Sequence, residues 1–141
     1  MTRLRGHDGV SVGDPLPALD IRVQRADLVR YAGASGDFNP IHWNERVARS
    51  VGLPDVIAHG MFTMAAAARV VTDWAGDPGS VVEYGVRFTR PVPVPDPDGT
   101  TVRVTGEVTG KRDDRTVVVT LTATCGAEKV LASARATVRL A

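Results

Sequence analysis

Residues 60–76 read GMFTMAAAARVVTDWAG, a run without proline, apolar or small at nearly every position, with Arg69 and Asp73 its only charges. No breaker interrupts it and Gly76 closes it, so the pattern predicts a helix. One with so little polar surface must be buried. Its four consecutive alanines leave the axis approachable, and a strongly curved sheet could wrap it closely where a leucine-rich helix would hold the sheet off.

The sheet follows in the chain. From residue 81 onward the hydrophobic period is two. In VVEYGVRFTR (81–90), Val82, Tyr84, Val86 and Phe88 form one face against Glu83, Arg87 and Thr89. TTVRVTGEVTGKR (100–112) and TVVVTLTATCG (116–126), joined by the turn signal RDDR, read as a hairpin with Val102, Val104, Val108, Val117, Val119, Leu121 and Ala123 inward. KVLASARATVRLA (129–141) turns Val130, Ala132, Ala134, Ala136 and Val138 inward. Four consecutive strands, each apolar on one face, predict an antiparallel meander that needs a cover. ALDIRVQ (18–24) supplies a fifth strand, and RADLVRYAG and NERVARSVG read as short amphipathic helices. PVPVPDPDG (91–99) cannot be interior strand because alternate residues lack an amide hydrogen; it is a stiff connection. The fold class is therefore α+β, about five antiparallel strands curved around a long central helix, as one domain over residues 1–141.

Composition narrows the function. Hydrophobic residues make up 43% and charged residues 23%, the proportions of a folded globular chain. The net charge is +1 and no Lys/Arg block exceeds two residues, which argues against nucleic acid as a partner. No apolar stretch approaches the ~20 residues that span a bilayer, and the start MTRLRGHDGV lacks an apolar signal core, so a cytoplasmic location is expected. The single cysteine, Cys125, excludes an intrachain disulfide and reads as a small buried hydrophobe. His7 falls in an N-terminus expected to fray, and Trp43 and Trp74 read as core or pocket-wall residues. Arg46, Arg49, Arg87 and Arg90 could form a basic rim for an acidic carrier or for phosphates, although solvated surface is the preferred reading.

Chemistry concentrates in SGDFNPIHWN (35–44). Gly36 permits a turn, Pro40 fixes its own backbone and biases Asn39 toward extended geometry, and the Asn39 side chain can tie the loop. Asp37 and His42 are thus held with little freedom, as positioned acid/base groups need to be, although Asp-x-Asn-Pro is also a common turn recipe and either residue taken singly reads equally as structural or solvated. Farther on, IAHGM places His59 and Gly60 at the start of the apolar helix, where unpaired amides and the helix dipole favour negative charge. Gly60 has no side chain to keep a carbonyl oxygen from its amide, as in an oxyanion hole. His59 is a secondary candidate that could equally cap or pack. A zinc site of Asp37, His42 and His59 lacks the short paired spacings of such sites, and no metal is expected.

YAGASGDFNPIHWN, followed by GLPDVIAHGMFTM, resembles the signature of the MaoC-like (R)-specific enoyl-thioester hydratases and dehydratases, and the resemblance runs over essentially the whole chain. DWAGDPGSVVEYGVRFTRPVPVPD is particularly similar to the catalytic B subunit of (3R)-hydroxyacyl-ACP dehydratases. The resemblance implies a hot-dog fold. It further implies Asp37 and His42 as the catalytic pair, Asn39 as the loop organiser, the Gly60 amide as the thioester-oxygen donor, and no cofactor. The reaction implied is reversible dehydration of (3R)-hydroxyacyl thioesters, carried on ACP or CoA, to trans-2-enoyl thioesters, in fatty-acid elongation. A five-stranded hot dog exposes sheet edges, so a homodimer, or a heterodimer with a homologous hot-dog subunit, is expected. The alternatives are a hot-dog acyl thioesterase and a non-catalytic structural subunit. Which of Asp37 and His42 acts at C2 stays open.

Overall fold

The computed structural model describes residues 4–141; the first three residues of the N-terminal stretch lie outside the described residues. Five strands form one antiparallel sheet: β1 (Pro15–Val23), β2 (Val81–Phe88), β3 (Thr100–Lys111), β4 (Thr116–Cys125) and β5 (Glu128–Arg139), in the order β1-β3-β4-β5-β2. Helix α1 (Arg25–Ser35) follows β1, the short α2 (Glu45–Ser50) follows the loop, and α3 (Gly60–Ala75) fills the concave side. Gly36 and Gly76 end α1 and α3 in the left-handed conformation, at φ 76° and 81°, where a side chain would be strained.

The hairpin of β3 and β4 forms as expected, and Val102, Val104, Val108, Val117, Val119, Leu121 and Ala123 are all buried. The four-strand meander is corrected. Only β3, β4 and β5 are sequential neighbours; β2 pairs with β5 at the far edge. The proline-rich connection causes this. Instead of turning back as a hairpin it runs along the segment that leads into α3, with Ala58 N donating to Val92 O, Val94 N to Val56 O, and a bridge between Ile57 and Pro93. Val92 and Val94 are buried there.

Three burial expectations also change. Register shifts between Val81 and Glu83 and between Gly85 and Arg87 break the alternation of β2, so Val82 and Phe88 are exposed while Tyr84 and Val86 pack against the core. In β5, Ser133 at φ 48° marks a similar irregularity, and Leu131 is buried where Ala132 was expected to be. Helix α3 is buried on one face only: Thr63, Ala67, Val70, Val71, Trp74 and Ala75 face the sheet, and Met61 and Ala65 are open.

The N-terminus is not frayed at His7. Its amide donates to Ala141 O, Arg5 bonds both Ala75 O and Trp74 O, and the His7 ring is buried. Trp74 is core, with the Arg5 guanidinium over its ring. Trp43 is not; it lies exposed, its indole N–H donating to Phe38 O. Cys125 is half-buried at a strand end beside Thr100 Oγ1. All four rim arginines are exposed, with Arg49 paired to Glu45 and Arg90 to Glu128. Among the described residues, no helix is long and apolar enough to cross a membrane.

Tyr84 ties the edge strand to the helix by donating its hydroxyl to Met64 O at 2.7 Å, and burial raises its pKa to about 12. Tyr84→Phe should lower stability by about 1 kcal/mol, a fall in Tm of ~3 °C. The sign of the pH effect follows. The folded state holds the phenol proton up to about 12 and the unfolded state releases it near 10.0, so this contribution is complete below 10.0 and lost between the two. Thermal melts followed by circular dichroism from neutral to alkaline pH should show that decline in the parent and not in the variant.

Candidate active site

Loop 35–44 is stiffened by its own short side chains. Ser35 Oγ accepts from the Asp37 amide, Asp37 Oδ1 from the Asn39 amide, and Asn39 Oδ1 from the Ile41 amide, each at 3.2 Å. Asn39 thereby caps a single 3-10 turn, Pro40–His42, with proline at its first position. The turn is then fastened to the strand-like approach to α3. Ile57 N donates to Ile41 O, and His42 Nδ1 lies 2.6 Å from Ile57 O.

Because a carbonyl only accepts, that short contact assigns the proton of neutral His42 to Nδ1 and leaves Nε2 as a free lone pair. Nε2 faces Asp37 Oδ2 across 3.9 Å. The two groups sit in different media: His42 is 7% exposed, and the Asp37 side chain is 53% exposed. Burial is the main reason the His42 pKa lies below the ordinary value; the Ile57 carbonyl pulls it up, His59 pushes it down, and Asp37 pulls it up.

His59 stacks on His42, with ring centroids 3.7 Å apart and planes inclined by 21°. Asp37, His42 and His59 therefore bring three ligand-type atoms within 4.8 Å of one another. In neutral His42 the Nδ1 proton is committed to the Ile57 carbonyl, so Nε2 is the nitrogen that faces Asp37.

Gly60 is the first residue of α3, and the first intrahelical amide bond runs from Thr63 N to His59 O. The amides of residues 60–62 precede it, at the positive end of the helix dipole. Phe88 lies directly against Gly60; a Cβ there would be 3.1 Å from ring atoms Cε1 and Cζ. Beyond it is a cavity of about 260 Å³ whose lining includes Gly60, Thr63, Phe88, Pro91, Val92 and Leu131. Asp37 and His42 do not line it, whereas Gly60 and Ile57, the residue whose carbonyl holds the His42 ring, do. Sequence reasoning missed Ile57, Thr63 and the position of Phe88. No local pattern signals a carbonyl partner fifteen residues away or a ring delivered by another strand.

A family model described as the MaoC like domain matches residues 10–128. The chain belongs to the MaoC-like family. Its curated relatives include 3-hydroxyacyl-thioester dehydratase X of Mycobacterium tuberculosis, 46% identical over 81 residues, which are 57% of this chain and 28% of that protein. The (R)-specific enoyl-CoA hydratase of Rhodospirillum rubrum is 35% identical over 118 residues, 82% of this chain and 78% of that one. Among solved structures, a MaoC-like dehydratase superposes with a TM-score of 0.94 at 42% identity, covering 98% of this chain and 43% of its own. The ChsH1-ChsH2 complex from Mycobacterium tuberculosis gives 0.81 at 26% identity over 93% and 98%. The chain thus spans less than half of two of these proteins, 28% and 43%, and 78% and 98% of the other two. The five-stranded antiparallel sheet around α3 is the hot-dog fold of this MaoC-like family.

The buried His42 yields a direct prediction. Followed by NMR through its ring C2 proton, it should titrate below 6.5 and be neutral at pH 7. A midpoint at or above 6.5 would mean that the ring is not desolvated as described.

Proposed function

We propose that the chain is a (3R)-hydroxyacyl-thioester dehydratase, reversibly an (R)-specific enoyl hydratase, serving fatty-acid elongation with acyl-ACP or acyl-CoA substrates and no cofactor. The observation that carries this reading is the gap between His42 Nε2 and Asp37 Oδ2, 3.9 Å wide, beside a helix end with free amides. Two heavy atoms that far apart can both hydrogen-bond one water at ordinary lengths of about 2.8 Å. In hydration, that water adds through oxygen to C3 of the enoyl thioester and passes one proton to the pair. The pair delivers a proton to C2 on the same face, and the water's other proton remains on the new hydroxyl. Charge that builds on the thioester oxygen meets the Gly60 amide, and dehydration runs the same steps backward. The names of the relatives support both directions.

A thioesterase would direct water to the carbonyl carbon and release free thiol. A structural subunit would have no need of Asp37 and His42 in this arrangement. A single-domain enzyme in the cytoplasm is consistent with the reading.

Assayed on trans-2-enoyl thioesters, Asp37→Asn and His42→Ala should each lower turnover by about 10²-fold or more while the far-UV circular dichroism is unchanged. Release of thiol in place of loss of the enoyl absorbance would replace the proposal with the thioesterase.

A second hot-dog subunit, identical or homologous, is proposed as partner. Strands β1 and β2 are open edges, and β2 carries exposed Val82 and Phe88. The similarity to the ChsH1-ChsH2 complex supports it. Size-exclusion chromatography with light scattering should give at least twice the chain's 15.0 kDa, for the chain alone or mixed with such a subunit.

A further inference from the structure

The most deeply buried group of the site is one that the proposed chemistry leaves unused. His59 is 2% exposed. Its Nε2 lies 3.1 Å from the backbone carbonyl of Asp37, its face stacks on His42, and Tyr31 meets its ring edge-on at 4.7 Å. Since the carbonyl can only accept, Nε2 carries the proton and Nδ1 is a bare lone pair. That nitrogen is buried without a hydrogen-bond partner. An unpaired buried polar atom is costly, and a phenylalanine could fill the space between Tyr31 and His42 without the cost. Phenylalanine could not donate to Asp37.

We infer that His59 is a positioning residue that holds the reacting groups in register: its N–H sets the loop at Asp37, its ring face sets the plane of His42, and its backbone, as the N-cap of α3, sets the Gly60 amide. The inference rests on the dehydratase reading of those three groups. A carboxylate and an imidazole from one loop and an amide from the start of α3 then share one rigid reference. The requirement is demanding, because reacting groups need placement within ~0.5 Å and an error of 1 Å can cost about 10²-fold in rate. Neither Asp37 nor His42 could be held to that tolerance by the loop alone. The internal bonds of the loop fix its shape, whereas its bonds to residues 57 and 59 fix where it stands relative to α3.

Substitutions separate the two side-chain contacts. His59→Gln can keep an amide N–H near the Nε2 position without a ring, His59→Phe keeps the ring without the donor, and His59→Leu is a second variant lacking the donor. With trans-2-enoyl-CoA and the full chain, the Phe and Leu variants should lose about 10-fold to 10²-fold in kcat with KM within about 3-fold, and Gln should recover part of that loss. Melting temperatures are measured alongside. Wild-type kcat in a folded Phe or Leu variant overturns the inference, as does a Gln variant no faster than both. The underlying reading fails separately. Asp37→Asn keeps the backbone carbonyl that His59 binds, so wild-type rates in that variant would remove the catalytic pair without touching the His59 contact.

Discussion

The packing of one face of α3 into the hollow of the sheet is the constraint on which the other features depend. A sheet can surround a helix only if it bends sharply, and all four strand pairs contain a register shift. The contact surfaces are small where they must be close. Ala67 and Ala75 are buried on the helix, and Gly106 lies so near Leu121 and Leu16 that a Cβ would come within 3.1 Å of the Leu121 side chain. The interior is otherwise lined by valines, whose branched side chains suit a pleated, curved surface. Once the helix is fixed in this way its N-terminus is fixed as well. The site is assembled around that end.

Around it, the chain uses short-range bonds for stiffness and long-range ones for placement. Arg25, at the start of α1, reaches Val94 O, Asp55 and Glu45 together, joining α2, the approach to α3 and the proline-rich connection. A guanidinium suits this junction because its donors spread in one plane. The electrostatic outcome is asymmetric. A carboxyl group in contact with water and an imidazole whose pKa burial holds below the ordinary value occupy opposite sides of one small gap.

Most of this was legible in local patterns. The span of α3, the five strands, the β3–β4 hairpin and the loop devices at Gly36, Asn39 and Pro40 all follow from periodicity and turn chemistry acting over a few residues. Features decided by distant partners were not. The β2 strand looks like an interior strand until its register shifts and edge position expose Val82 and Phe88. His7 looks terminal until the C-terminal residue Ala141 pairs with it, and Trp43 looks like core because nothing nearby in the sequence reveals that its indole bonds a loop carbonyl at the surface. The proposed roles of Asp37 and His42 rest on family resemblance, since spacing alone describes a turn as well as a site.

The placement of Phe88 bears on how such a site can diversify. It ends the strand that forms a free edge, and its ring covers the glycine that opens α3. A subunit hydrogen-bonded along that edge would meet the same ring, making association and access to the helix end a single mechanical coordinate. Under the proposed function, substrate range could then change by exchange of the neighbouring chain while Asp37, His42 and Gly60 stay as they are, and selection could act on the pairing surface apart from the site.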